Sequence, residues 1–388
     1  VNYNQSTEAH MGKVVKMKQP KQPKAGKIAI SDMRNMINKT TGMNVAHDLQ
    51  TDSPTVVKDW IPTGSRWLDS IICKGKMAGI PVGKVTEIAG LSASGKSFMA
   101  TQIAVNAQKK GFTVIYFDAE SSIDPSFLER SGVDLKKLIY VQAVSVEKTL
   151  EQIEALLSNY SDTQFLFIWD SIAATASEKD IQGDFNPQSS MAVKPRIFSK
   201  AFPKLTIPIA NSQSAIVLIN QLKVNITSNI AEAMTTPFIA PGGKAIEYFC
   251  SLRIWLTRRK SKASFVENNK GFRIGSETKA KIEKSRFGTY GRTCTFKILW
   301  GDDVGIQDEE SWLEAIKLSG TERLKRGGSW YTIVGDKGKE FKFQATTWSE
   351  QLKDDEFRKI IYDIMDKEII EKYETDGMAP DVDDAPDT

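Results

Sequence analysis

Residues 165–169 (FLFIW) and 215–219 (AIVLI) are apolar at every position. A strand with one face in water alternates apolar and polar residues, so these unbroken runs predict strands covered on both sides. Residues 85–89, 113–117 and 138–141 add further strands. Helices are predicted over 96–110, stopped by Gly111, and over 146–158, where Leu150, Ile153 and Leu157 share one face. This alternation argues for an α/β fold, a mostly parallel sheet flanked by helices. Residues 251–257, 277–284 and 293–299 have mixed polarity and read as strands that extend the sheet at its edge. Near Gly305 the pattern changes to a compact α/β segment, 308–373, which closes on a helical stretch (EFRKIIYDIMDKEIIEKY). The chain has no internal repeat.

Ahead of Trp60 the pattern is different. The first thirty residues are polar and lysine-rich, with two prolines and no periodicity, and read as a flexible arm. A short helix follows, with Ser31 placed to cap it, Met33, Met36 and Ile37 on one face, and Gly42 at its end. The expected organisation is an arm and helix (1–50), a core (51–305), a small α/β domain (306–373) and an acidic disordered tail (374–388).

Composition excludes several classes. The 388 residues are 40% apolar and 26% charged, as in ordinary globular proteins, and no uncharged run is long enough to span a membrane. The first residues lack a signal-like apolar stretch. Cys73, Cys250 and Cys294 are scattered, and His10 and His47 are the only histidines, so neither a disulfide framework nor structural zinc is expected. A reducing compartment, the cytoplasm, follows. The net charge of +4 hides an asymmetry: residues 374–388 carry six acids and no base, while residues 244–297 carry fourteen Lys/Arg against four Asp/Glu. A polyanion partner with a competing tail fits that distribution, and so does a solvated charged face.

The chemistry sits at strand ends. Residues 90–97 (GLSASGKS) fit G-x-x-x-x-G-K-[ST] after a predicted strand and at the start of a predicted helix. Glycines let successive amides curl around phosphate oxygens, and the helix N-terminus favours negative charge. Lys96 would reach the β/γ-phosphates, and the Ser97 hydroxyl would ligate Mg²⁺. Asp170, ending the run 165–169, is the expected partner for that ion. Glu120, just past the strand 113–117, could orient a water against the γ-phosphate or belong to a helix-capping acidic cluster. Gln221, at the end of the strand beginning at 215, is placed to sense the γ-phosphate.

Taken together, these segments resemble a RecA-type recombinase from about Trp60 to Tyr373. The residues that carry the resemblance are Ile61-Pro-Thr-Gly64-Ser65 with Leu68-Asp69, then the phosphate loop, Phe117-Asp-Ala-Glu120 with Asp124-Pro125, Asp170-Ser171, Ile219-Asn-Gln221 and Pro241-Gly-Gly243. Gly275-Ser-Glu-Thr278 with Lys284 and Arg286, and Gly327-Gly-Ser-Trp330-Tyr331, continue it, and an acidic tail recurs in the family. The long lysine-rich arm and the divergent sequence resemble phage-encoded members.

The resemblance implies ATP and Mg²⁺, held by Gly90, Leu91, Ser92, Ala93, Ser94, Gly95, Lys96, Ser97 and Phe98, with Asp124 and Phe127 on the adenine side. It implies catalytic roles for Glu120 and Gln221, and sends Lys284 and Arg286 into a neighbouring subunit's site. Residues 182–190 become a first DNA loop, followed by Met191 and Arg196; a second, 222–241, has Lys223 on phosphate, Ile226 as a wedge between bases, and Gly242 and Gly243 at its close. The partners implied are single- and double-stranded DNA, a homo-oligomeric filament that the Met33/Met36/Ile37 face would join, and a recombination mediator or single-strand-binding protein, with no membrane. Some features depart from the pattern. The first loop has no basic residue, the second only Lys223, and Phe185 and Phe238 are the loops' only aromatics. Pro203 and Pro208 are expected to kink or shorten the next helix. Trp67, Trp255 and Trp300 read as core, and Glu277 and Glu283 as candidate partners for Lys284 and Arg286. A ring helicase on the same core is the alternative; such proteins carry a separate N-terminal domain of about a hundred residues. A non-catalytic ATP-binding regulator is disfavoured by the intact Lys96, Ser97, Glu120 and Asp170.

Overall fold

The computed structural model describes residues 29–42, 44–51, 53, 55–72, 78–183, 192–227, 229, 237–258, 264–300, 304–335 and 338–370. The chain divides into two units, 1–56 and 57–388. In the first, α1 (Ile30–Thr41) ends on Gly42 in the left-handed region (φ 66°). Ser31 does not cap it. The chain leaves extended geometry at Ala29, whose carbonyl takes the amides of Asp32 and Met33, so Ser31 already lies within the helix. Asn38 Oδ1 accepts the amides of Val45 and Ala46, and Arg34 pairs with Asp48 at 3.0 Å, folding the following segment back along the helix. Ile30, Met33, Met36 and Ile37 stay exposed.

In the second unit, β1 (Trp60–Ile61) and β2 (Ile80–Pro81) pair across α2 (Arg66–Ile72). The central strands are β3 (Val85–Gly90), β4 (Thr113–Asp118), β5 (Leu138–Gln142), β6 (Phe165–Asp170) and β7 (Ala215–Gln221). A short hairpin of β8 (Lys223–Val224) and β9 (Phe238–Ile239) follows, then β10 (Leu252–Thr257), β11 (Phe265–Glu267), β12 (Arg273–Ser285), β13 (Thr293–Leu299) and β14 (Gly305–Gln307). The sheet order is β14-β13-β12-β10-β3-β7-β6-β4-β5, with β11 beside β12. From β10 to β5 every pairing is parallel; β12 and β13 extend the sheet at one edge, as their mixed polarity suggested, and β14 follows them. Residues 251–257, expected at the edge too, instead form β10 between β3 and β12.

Alternation along the central strands sorts side chains onto two faces. Ile88, Val114, Tyr116, Ile168 and Ile219 pack with Met99 and Ile103 of α3 (Lys96–Lys109). Ile115, Phe117, Phe167, Trp169 and Leu218 pack with α5 (Val146–Asn159) and α7 (Val193–Asn211) on the other face; α4 (Pro125–Arg130) and α6 (Glu178–Gln182) are shorter. Pro203 and Pro208 do not break α7, which runs through both. The residues four before them, Ser199 and Lys204, are exposed, so the carbonyls that lose an amide partner are on the solvent side of the helix, while Phe198, Phe202, Leu205 and Ile209 are buried.

The segment after Gly305 shares a core with what precedes it: Trp312, Phe343, Trp348 and Phe357 belong to the same apolar cluster as Leu68 and Ile298. Trp67 is buried, whereas Trp300, placed in the core by pattern, is 39% exposed because its strand ends at Leu299. The junction is built on two buried acids. Asp308 accepts from Ser65 Oγ (2.7 Å), the Trp67 amide (3.0 Å) and Trp312 Nε1 (2.8 Å). Asp69 Oδ1 accepts from Thr63 N (3.0 Å) and Thr63 Oγ1 (2.7 Å), and burial pushes its carboxyl up to about 8. A carboxyl raised this way favours the folded state below its unfolded value near 3.8 and loses that contribution as pH rises through the folded value. Asp69→Asn keeps the acceptor and removes the ionisation, so its melting temperature should fall less between pH 5 and 9 than the parent's in parallel thermal scans. A parallel decline in both proteins would remove Asp69 as the cause.

Candidate functional site

The carboxyl ends of β3, β4, β6 and β7 lie side by side, the position where parallel α/β sheets bind ligands. Gly90 ends β3 and Lys96 begins α3, so the intervening loop lies at a helix N-terminus. At Gly95 φ is 92°, and a Cβ there would stand 2.3 Å from Ile298 Cδ1; only glycine fits. Lys96 Nζ donates to the Leu91 carbonyl at 2.9 Å. Burial holds its ammonium below the ordinary lysine range, opposed by the charges of Asp170 and Glu120. Tyr116 Oη donates to Asp170 Oδ2 at 2.9 Å; burial raises the Asp170 carboxyl, while the nearby Ser97 hydroxyl and Tyr116 pull it down. Ser97 and Asp170 are adjoining hard oxygen donors, a set that suits Mg²⁺ and not a soft metal. The Ser94 hydroxyl, buried in the same loop, has no hydrogen-bond partner among the described residues.

The two readings of Glu120 separate cleanly. Asp118 does the loop capping: its carboxylate takes the amides of Glu120, Ser122 and Ile123 and the Tyr140 hydroxyl. Asp124 caps α4 through Ser126, whose bonds keep its carboxyl below the usual range. Glu120 is left free for other work, and its Oε1 accepts from Ser171 Oγ and Gln221 Nε2, each at 3.2 Å. On the α3 side, Phe98 packs against Phe127, ring centroids 5.8 Å apart.

Behind Gln221 lies a polar chain that the pattern did not reveal. Asn220 Nδ2 donates to Glu87 Oε1 and to the Pro241 carbonyl, both at 2.8 Å, and buried Glu87 pairs with Arg253 at 2.5 Å. The only available signal was a lone acid inside an apolar strand. Pro241 brings the chain back to Gly242 (φ 106°), where a Cβ would meet Ile246 Cδ1 at 2.1 Å, and then to the helix α8 (Gly243–Phe249). A cavity of about 410 Å³ opens here, lined by Ala173, Lys194, Gln221, Lys223, Pro241 and Gly242. Lys194, which sequence reasoning passed over, donates to the Ala173 carbonyl at 3.0 Å; burial and the charge of Lys223 lower its ammonium's range, against the pull of Asp180. Arg196, Lys223 and Gly243 are exposed, and Ile226 is 95% exposed. Met191, residues 184–190 and 230–236, the arm to residue 28 and the tail lie outside the described residues.

Lys284 and Arg286 do not pair with Glu277 or Glu283. Glu283 is taken by Lys281 at 2.8 Å, and both cations turn to the C-terminal carbonyls of α8: Lys284 to Glu247 and Tyr248, Arg286 to Tyr248 at 2.9 Å. Helix ends attract cations in this way. Burial, reinforced by Arg286, lowers the Lys284 ammonium's range.

A phosphate loop between the central strand and its helix, with carboxylates on the neighbouring strand ends, defines a P-loop nucleotide-binding protein. The sequence matches the RecA N-terminal domain family over residues 27–306. It is 30% identical over 317 residues to Protein RecA of Bifidobacterium breve, covering 82% of this chain and 75% of that one. Protein RecA of Bifidobacterium longum (strain NCC 2705) is also 30% identical, with 82% and 74% covered. The chain belongs to the RecA family. Among the described residues, no helix is long and apolar enough to cross a membrane.

Proposed function

We propose that this protein is an ATP-dependent recombinase that filaments on single-stranded DNA, pairs it with homologous duplex and hydrolyses ATP as it does so. Family membership supports recombination and repair as its work. The observation that carries the finer reading is the bond from Gln221 to Glu120, because it joins the nucleotide end of β4 to the strand that leads into the Lys194/Lys223 cavity. In this reading the loop amides and Lys96 bind the phosphates. Ser97 and Asp170 hold Mg²⁺, which neutralises phosphate charge when bound. Glu120 orients the attacking water, and Gln221 reports the γ-phosphate to the segment beyond it. The cavity and exposed Lys223 and Arg196 face the DNA backbone, Ile226 wedges between bases, and the apolar face of α1 docks on a second copy.

Electron microscopy with single-stranded DNA and a slowly hydrolysed ATP analogue tests the assembly. Helical filaments are the expected result; closed hexameric rings would replace this reading with a helicase. The DNA face has its own check. Lys194→Ala and Lys223→Ala should each weaken single-strand binding and reduce the slope of log affinity against log salt by about 0.7. Unchanged slopes would move the backbone contacts elsewhere.

A further inference from the structure

We infer that Tyr116 is a positioning residue for the divalent cation, acting through Asp170. The inference rests on the reading of residues 90–97 as a phosphate cradle. Tyr116 is 1% exposed in the middle of β4, surrounded by the apolar cluster that packs on α3. A phenylalanine would fill that space equally well, so packing alone does not account for the hydroxyl. Its register partner on β6 is Ile168, two residues short of Asp170, so the side chain reaches along the sheet to the end of the neighbouring strand. There the hydroxyl donates to Asp170 Oδ2 at 2.9 Å.

The direction of that bond matters. Tyr116 approaches Asp170 from the floor of the sheet, while Ser97 stands nearby at the start of α3. A carboxylate held by a buried hydroxyl on the neighbouring strand is restrained from swinging about its Cβ–Cγ bond. Its orientation beside the Ser97 hydroxyl is therefore set before any ion arrives. A bond from a buried hydroxyl to a carboxylate is also charge-assisted, and so stronger than a neutral one. Partners that orient metal ligands in this manner commonly change metal affinity by 10- to 100-fold when removed.

The test measures metal binding directly. The full-length protein is saturated with ADP, and Mn²⁺ binding is followed by loss of the free-ion electron paramagnetic resonance signal. Tyr116→Phe should weaken Mn²⁺ binding about tenfold, with ADP affinity in EDTA equal to the parent's. In the Asp170→Asn background the same substitution should cause no further loss, because the group it acts through has already gone. Should the phenylalanine variant fail to fold, Tyr116→Met supplies the same comparison. Parental Mn²⁺ affinity in Tyr116→Phe, or additive losses in the double variant, would overturn the assignment. If the parent itself takes up no Mn²⁺ with ADP, the phosphate-cradle reading falls, and this role falls with it.

Discussion

Glu120→Gln should lower the turnover of ATP by about 100-fold or more while leaving nucleotide affinity near the parent's. The substitution keeps the shape of the side chain and an oxygen to accept the bonds from Ser171 and Gln221. It removes only the basic carboxylate. The loop should stand unchanged, since Asp118 and not Glu120 receives its amides. An effect confined to kcat, with KM preserved, marks an interaction made in the transition state. Steady-state hydrolysis with saturating single-stranded DNA measures both constants. Parental turnover in Glu120→Gln would reduce Glu120 to a link between Ser171 and Gln221.

A second large effect is expected from mixing two inactive proteins. Lys96→Ala lacks the phosphate contact but keeps Lys284 and Arg286. The double variant Lys284→Ala/Arg286→Ala keeps its phosphate loop. If the two cations serve a neighbour's nucleotide, a head-to-tail filament assembled randomly from equal amounts has about a quarter of its interfaces with both halves intact. ATPase activity should then reappear on mixing. The bonds of both residues to the α8 carbonyls offer a purely internal role, which predicts the opposite: mixed filaments that form and stay inactive. Circular dichroism of the double variant guards against simple fraying of α8. The same contacts give the trans reading a physical consequence. Cations drawn toward a neighbour's phosphates would leave the end of α8, whose start follows Gly242 of the Lys194/Lys223 cavity.

The division between what was legible in the chain and what was not follows interaction range. Local rules sufficed for the phosphate loop, because its glycines, lysine and serine act through spacing on one turn and one helix start. Strands such as β6 and β7 were readable because burial on both faces leaves no polar position to mistake. The carboxylates at strand ends were readable as positions, since a parallel sheet sends them to one rim. That α7 runs unshortened through two prolines was not legible, because a proline's cost depends on what surrounds the carbonyl it frees, and that is set by how the helix sits on the sheet. Partners across long separations were out of reach altogether. Glu87 with Arg253, Tyr116 with Asp170 and Lys284 with the α8 carbonyls each join residues that only sheet order brings together. The sequence by itself determined which residues could bind a phosphate and where the strands would end. Only the tertiary structure decided that Asp118 holds the loop while Glu120 is free to meet Gln221, because hydrogen bonds of nearly equal strength are chosen by geometry and not by residue type.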